Sequence, residues 1–163
     1  MSTKGKGGTP AIISLRRAGV SFRLHSYVVD YEAVSDYGRA VAGQLGVPPQ
    51  RLFKTLVAFA DDQPMVGLVS ADARLSVKRL ARAVGARKSR LASPREAQRL
   101  TGYVPGGISP FGQRRRMPTV VDESAVTFET IWVSAGKRGL QIEIDPAVLG
   151  SQLGAILAPL AYG

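Results

Sequence analysis

Five short segments of the 163-residue sequence carry side chains or backbone that could do chemistry. The first is Leu52-Phe53-Lys54-Thr55-Leu56-Val57. On a strand, alternate residues share a face, so Lys54 points the same way as Leu52, Leu56 and Ala58, while Phe53, Val57 and Phe59 make the other face apolar as well. An ammonium group between two apolar faces is costly unless it lines a pocket or meets an anion. The alternative is a strand-end lysine reaching to water. The second is the loop Gly102-Tyr103-Val104-Pro105-Gly106-Gly107-Ile108-Ser109-Pro110-Phe111-Gly112. Its glycines and prolines give it a defined path that brings main-chain groups against a ligand. It has neither the Walker nor the dinucleotide spacing. The third is Arg114-Arg115-Arg116, three guanidinium groups suited to phosphates, or simply a solvated charge run. The fourth is Gly136-Lys137-Arg138-Gly139, a basic pair framed by glycines in a turn between two strands. The fifth is His25 with Tyr27: an aromatic ring and a hydroxyl that could meet a base or ribose, beside a histidine that lacks a recognisable carboxylate partner.

The inventory excludes several chemistries. The chain has no cysteine and one histidine, so a disulfide framework, a thiolate metal site, a cysteine nucleophile and a histidine-rich metal centre are all ruled out. No cofactor is expected. No run approaches the ~18 apolar residues of a membrane span, and the basic, glycine-rich start is unlike a secretory signal. A cytoplasmic protein without membrane contact is expected.

The net charge is +10, and it is segregated. Between Arg74 and Arg116 stand twelve basic residues and a single acid, Glu96, a net +11, which leaves −1 for the rest. Brought to one face, that segment would attract a polyanion by releasing counterions, with nucleic acid the leading candidate. Lys78, Arg79 and Arg82 are expected on one face of a helix, with Arg114, Arg115 and Arg116 joining them.

The elements that must position these groups follow from pattern. Thr9-Pro10 opens a helix, with Ala11, Ile12, Leu15 and Ala18 on one face and Gly19 as its stop. Ser21 to Tyr27 alternates as a strand. Ser35 caps a second helix carrying Val34, Tyr37, Val41 and Leu45, ended by Gly46 and Pro48-Pro49. Leu52 to Ala60 reads as a buried strand, Asp61-Asp62 as a turn and Met65 to Ser70 as its hairpin partner. Ser76 caps a helix with Val77, Leu80, Ala81 and Val84 inward, and Ser93-Pro94-Arg95-Glu96 is a capping box. Thr119–Asp122, Thr130–Ser134 and Leu140–Ile144 are further strands, and a final helix starts at Pro146. The expectation is an α+β fold: a mixed, partly barrel-like sheet flanked by helices, as one domain over residues 9–163 after a flexible basic tail over 1–8.

Taken together, Thr9-Pro10-Ala11, His25-Ser26-Tyr27, Phe53-Lys54-Thr55-Leu56, Thr101-Gly102-Tyr103, Gly106-Gly107-Ile108-Ser109-Pro110, Gly112-Gln113 and Val133-Ser134 through Gly139-Leu140 resemble the YbaK/EbsC family of prolyl-tRNA-synthetase-associated editing domains. Within it, the closest likeness is to the Cys-tRNA(Pro) deacylase type. The resemblance implies a trans-editing hydrolase that cleaves the aminoacyl ester with help from the substrate's own thiol. It implies Lys54, Tyr27 and Ser134 as the residues at the reaction centre. Thr55, Gly106, Gly107, Ile108, Ser109, Pro110, Gly112, Lys137 and Arg138 would surround the substrate. Lys78, Arg79, Arg82 and Arg114–Arg116 would hold the tRNA, and prolyl-tRNA synthetase would be a partner. The chain departs from the family at Ala135, where a glycine is common, and at Gln141, a position that is acidic or a small hydroxyl residue elsewhere; no role is carried onto Gln141. Two rivals stand beside this reading: a deacylase of the same fold using activated water on another aminoacyl-tRNA, and a non-catalytic tRNA-binding module.

Overall fold

A computed structural model describes residues 8–162. The tail expected over residues 1–8 falls almost wholly outside them. Helix α1 (Pro10–Arg17) begins where the sequence places it: the Thr9 hydroxyl accepts from the Ile12 amide at 3.2 Å, with proline in the first turn. Strand β1 (Arg23–Ser26) is shorter than the alternation suggested. Helix α2 (Tyr37–Leu45) is capped by Asp36 rather than Ser35, the Asp36 carboxylate accepting from the Arg39 amide at 3.2 Å. A charged acceptor one residue later gives the stronger cap. A 3-10 turn over Pro49–Arg51 leads into β2 (Phe53–Ala60).

The hairpin holds as expected. β2 pairs antiparallel with β3 (Gln63–Ser70) through Asp61 and Asp62, both at positive φ, the twist that a two-residue hairpin turn requires. After β4 (Arg74–Leu75) comes α3 (Val77–Val84), capped by the Ser76 hydroxyl, and then β5 (Ser89–Leu91). Helix α4 (Pro94–Thr101) carries the complete capping box between Ser93 and Glu96. β6 (Thr119–Asp122), β7 (Ile131–Ser134) and β8 (Leu140–Ile144) are the three later strands. The final helix α5 (Ala147–Leu153) is short. It is followed by β9 (Ile156–Ala158) and β10 (Ala161–Tyr162), which the sequence did not announce. β4, β5, β9 and β10 have two or three residues each, too few to show a period. Ala18 is exposed and stands outside the apolar face assigned to it.

The α+β class and the mixed sheet are as expected, without a closed barrel. The described strands form a five-stranded sheet in the order β5-β2-β3-β6-β9, an antiparallel sheet β1-β8-β7 and the pair β10-β4. The two larger sheets enclose the main core. Phe53 and Val57 from β2, Val66 and Leu68 from β3, and Val121 from β6 face Ile131, Val133, Ile142 and Ile144, sealed by Ala11, Ile12 and Leu15 of α1. On the far face of the large sheet, Ala58, Met65, Val69 and Val120 pack under Leu80 of α3. Tyr27, Val41, Leu52 and Trp132 gather beneath α2. The sheets touch edge to edge at one parallel bridge, Leu52 to Trp132. On β2, the edge away from β3 is paired with β5 only from Ala58 to Ala60. The Val57 carbonyl still accepts from the Ala92 amide at 2.9 Å, and from Phe53 to Leu56 that edge is free of β5. No described helix is long and apolar enough to cross a membrane.

Candidate active site

The open edge of β2 is where the cavity lies. It holds about 330 Å³ and is lined by Phe53, Lys54, Thr55 and Leu56 from β2, by Ser134 and Gln141 from the small sheet, and by Tyr31, Pro105, Gly106 and Ile108 from loops. The bridge helps bring the groups together: Leu52 pairs with Trp132 just ahead of Lys54 and Ser134, and both of these line the cavity. Ser134 is in turn opposite Gln141 across β7 and β8. Because this edge lacks a neighbouring strand, residues from both faces of β2 reach the same hollow.

Lys54 is half-buried, and that burial lowers its pKa. Asp36 and Asp72 oppose the shift from a distance, but no described carboxylate comes within salt-bridge range of the ammonium. A cation so placed is an anion site in waiting. Ser134 accepts from the Gly136 amide at 3.1 Å, which leaves its hydroxyl proton available to a ligand. The Thr55 hydroxyl and the Gln141 amide oxygen are buried without a hydrogen-bond partner. Orphaned polar atoms in cavity-lining residues cost stability until a ligand or water pairs with them. The lining contains no aspartate, glutamate, histidine or cysteine.

Glycine sets the wall opposite Lys54. A Cβ on Gly107 would stand 2.9 Å from Lys137 Cα and 3.0 Å from Arg138 N, so the Gly106-Gly107 loop and the Gly136–Gly139 turn press backbone on backbone. Arg138 closes the seam: its Nε donates to the Pro105 carbonyl at 2.8 Å, and its guanidinium sits 3.7 Å from the centre of the Tyr31 ring. Gly112 lies against the Pro10 carbonyl with no room for a Cβ, which seats the loop's far end on α1. The Thr9 hydroxyl donates to the Ala135 carbonyl, and Tyr103, its pKa pushed up to about 12 by burial, donates to the Phe111 carbonyl at 2.7 Å.

The expected site residues therefore divide. Lys54, Thr55, Ser134, Gly106 and Ile108 line the cavity. Gly107, Ser109, Pro110 and Gly112 form the loop's inner frame; the Ser109 hydroxyl accepts from the Phe111 amide and its carbonyl from the Gln113 side chain. Lys137 is exposed. Tyr27 stands behind the wall, its hydroxyl 2.8 Å from that of Tyr37, which does line the cavity. Burial and this hydrogen bond raise the Tyr37 pKa. The sequence assigns neither Tyr31 nor Tyr37 to the site and carries no role onto Gln141, yet all three line the cavity, with Gln141 opposite Ser134 in the pairing of β8 with β7. His25 does have a carboxylate partner: Nε2 lies 3.0 Å from Glu143 Oε1, and the ring packs against Trp132 at 4.2 Å. That pair is outside the cavity lining. Lys78, Arg79 and Arg82 lie on α3, and Arg114, Arg115 and Arg116 follow the loop, all exposed. Arg79 is engaged with the Ala161 carbonyl.

Comparison with known proteins agrees with this geometry. The model of the aminoacyl-tRNA editing domain matches residues 32–150. EbsC of Enterococcus faecalis, a candidate Cys-tRNA(Pro)/Cys-tRNA(Cys) deacylase, is 39% identical over 111 residues, covering 68% of each chain. The multifunctional Ser/Thr-tRNA deacylase ProXp-y of Escherichia coli is 31% identical over 113 residues, 68% of this chain and 66% of that one. The proline–tRNA ligase of Lactiplantibacillus plantarum is 27% identical over 121 residues, but only 21% of its length takes part. Among solved structures, that of a candidate trans-editing enzyme for prolyl tRNA synthetase superposes with a TM-score of 0.82 at 24% identity, over 100% of this chain and 99% of that one. The fold, the matched domain and the EbsC likeness together place this chain in the aminoacyl-tRNA editing domain family.

Proposed function

We propose that the protein deacylates mischarged Cys-tRNA(Pro), and that the cysteinyl thiol serves as the nucleophile. The carrying observation is a cavity with a half-buried lysine and a glycine-backed wall, yet with no carboxylate, histidine or cysteine in its lining. Such a hollow orients and neutralises, with Lys54, Tyr31 and Tyr37 as its titratable side chains. In the proposed step the substrate sulfur bonds to its own ester carbonyl carbon and the bond to the ribose oxygen breaks. The thiol proton passes to that leaving oxygen, and water then opens the resulting thioester to free cysteine. Holding thiol and carbonyl in attacking geometry is worth roughly 7–11 kcal/mol in favourable cases, and donors to the developing oxyanion about 3 kcal/mol more.

In this reading the Lys54 ammonium meets the terminal adenosine's phosphate and Ser134 donates to the ester. The backbone of Gly106 to Pro110 with Gly112 shapes the wall, and Thr55 lines the pocket. Tyr27 acts at one remove, holding Tyr37. Arg138 with Lys137 fixes the mouth, while Lys78, Arg82 and Arg114–Arg116 attract the tRNA. The proposed unit is residues 9–163, acting in the cytoplasm on tRNA charged by prolyl-tRNA synthetase, with no cofactor.

The likeness to ProXp-y favours a second reading, deacylation of hydroxyl-bearing aminoacyl groups on the same scaffold. A panel of Cys-, Ser- and Ala-tRNA(Pro) separates them. Rapid loss of Cys with slow loss of Ser and Ala is the expected result. Equal rates on all three would overturn thiol participation, and preference for Ser would support the second reading.

A further inference from the structure

Four of the twelve basic residues between Arg74 and Arg116 line one groove away from the cavity. Lys78 and Arg82, four residues apart on α3, form one wall; Arg87, Lys88 and Ser89 form the other; Val77, Ala81 and Ala86 make the floor. The groove holds about 480 Å³. None of its four cations forms a salt bridge with a described residue. The nearby carboxylate, Asp61, is taken up by main chain: it accepts from the Arg87 amide at 2.9 Å and the Lys88 amide at 3.2 Å. The two walls are tied by the Ser89 hydroxyl, which donates to the Val77 carbonyl. A fixed backbone thus presents four unpaired cations to one trough. Arg79, on the same helix, is not part of it, since its guanidinium is held by the Ala161 carbonyl.

The groove is joined to the cavity by β5. Lys88 and Ser89 line the groove, while Leu91, Ala92 and Pro94 line the cavity. Between them Arg90 lies over the Phe59 ring at 4.5 Å and pairs with Glu96. From Ser89 to Ala92 is three residues, about 10 Å of extended chain.

We propose that the α3–β5 groove docks the sugar-phosphate backbone of the tRNA acceptor arm, with Lys78, Arg82, Arg87 and Lys88 as its contacts and β5 as the track that delivers the charged 3′ end to the cavity. This rests on the deacylase reading of the cavity. The test compares wild type with the variant Lys78→Gln, Arg82→Gln, Arg87→Gln, Lys88→Gln. Binding of uncharged tRNA is followed from 50 to 200 mM salt, and deacylation is measured on full charged tRNA and on the aminoacyl ester of adenosine alone. Four lost contacts should lower the slope of log affinity against log salt by about 3 and weaken binding on the order of 100-fold. The rate on the adenosine ester should be unchanged. The double variant Arg87→Gln, Lys88→Gln should give about half the slope change and guards against misfolding of the fourfold one. Wild-type slope and affinity in the variants would overturn the proposal, as would equal loss on both substrates. A similar slope change per charge in Arg16→Gln, Arg17→Gln, or loss of anionic-vesicle binding with tRNA binding intact, would also overturn it. If wild type cleaved neither substrate, the deacylase reading would fall, while the salt slope would still decide the groove.

Discussion

Gly107→Ala tests whether the glycine wall is an active part of the site. The added Cβ would lie 2.9 Å from Lys137 Cα and 3.0 Å from both Arg138 N and Lys137 C. These are backbone atoms of a turn already pinned by the Arg138 bond to Pro105, so no side chain can swing aside. Ordinary contact begins near 3.4 Å, so the loop and the turn must part by about 0.5 Å. Overpacking of this kind costs about 1–3 kcal/mol, which for a chain of this size lowers Tm by roughly 3–9 °C. The same displacement moves the wall relative to Lys54. A 1 Å misplacement can cost about 100-fold in rate, so half of that should cost on the order of 10-fold. Gly43→Ala is the matched control: the residue sits within α2, with nothing within 4 Å of the added carbon. It should raise stability by about 0.5–1 kcal/mol and leave the rate alone. Thermal unfolding and single-turnover deacylation read both quantities. A Gly107→Ala protein with wild-type Tm and rate would refute the reasoning.

Two further substitutions probe charge. Lys54→Met keeps the aliphatic stem and removes an ammonium whose pKa burial lowers, so Tm at neutral pH should rise while deacylation falls on the order of 100-fold. Because folding disfavours the charged form, wild type gains stability as pH rises through the lowered Lys54 pKa, and the Tm gap between the two proteins should narrow in alkali; a gap that widens would contradict this. Glu96 is held at about 2, by its hydrogen bonds with Arg90 first and then the Ser93 amide. A depressed carboxylate stabilises the fold above its unfolded pKa, near 4.3, and that contribution disappears as pH falls toward about 2. Glu96→Gln should therefore lose less stability than wild type across that window in acid-unfolding curves, and parallel curves would sink the assignment.

What the sequence disclosed, and what it hid, follows from the range of the interactions involved. Thr9, Ser76 and Ser93 announce helix starts because a cap is satisfied within three residues. Lys54 stood out because an apolar strand on both faces leaves an ammonium without an ordinary explanation. The meeting of Lys54 with Ser134 and Gly106 was legible only through family likeness, since it depends on one bridge between residues eighty apart, Leu52 and Trp132. Tyr31 reaches the site from a loop with no local pattern, and Tyr37, which helical spacing placed on the second helix, has nothing local to mark it as lining a cavity. Gln141 was set aside as a departure, yet strand register puts it next to Ser134. Tyr27 shared a face with His25 on paper, and its hydroxyl turned out to serve Tyr37. The charge count found the basic segment, but only the fold shows Arg79 bound to Ala161 and the Lys78–Arg82 pair facing Arg87 and Lys88.

The seat of Gly112 on Pro10 bears on where this unit can be cut. The family match begins at residue 32, so a fragment trimmed to it would discard α1, the Thr9 tie to Ala135 and the outer strand of the small sheet. The loop's rear would then face water, with Phe111 stripped of part of its cover. The physical unit is wider than the matched domain, and α1 acts as the keystone of a hollow whose lining it does not join.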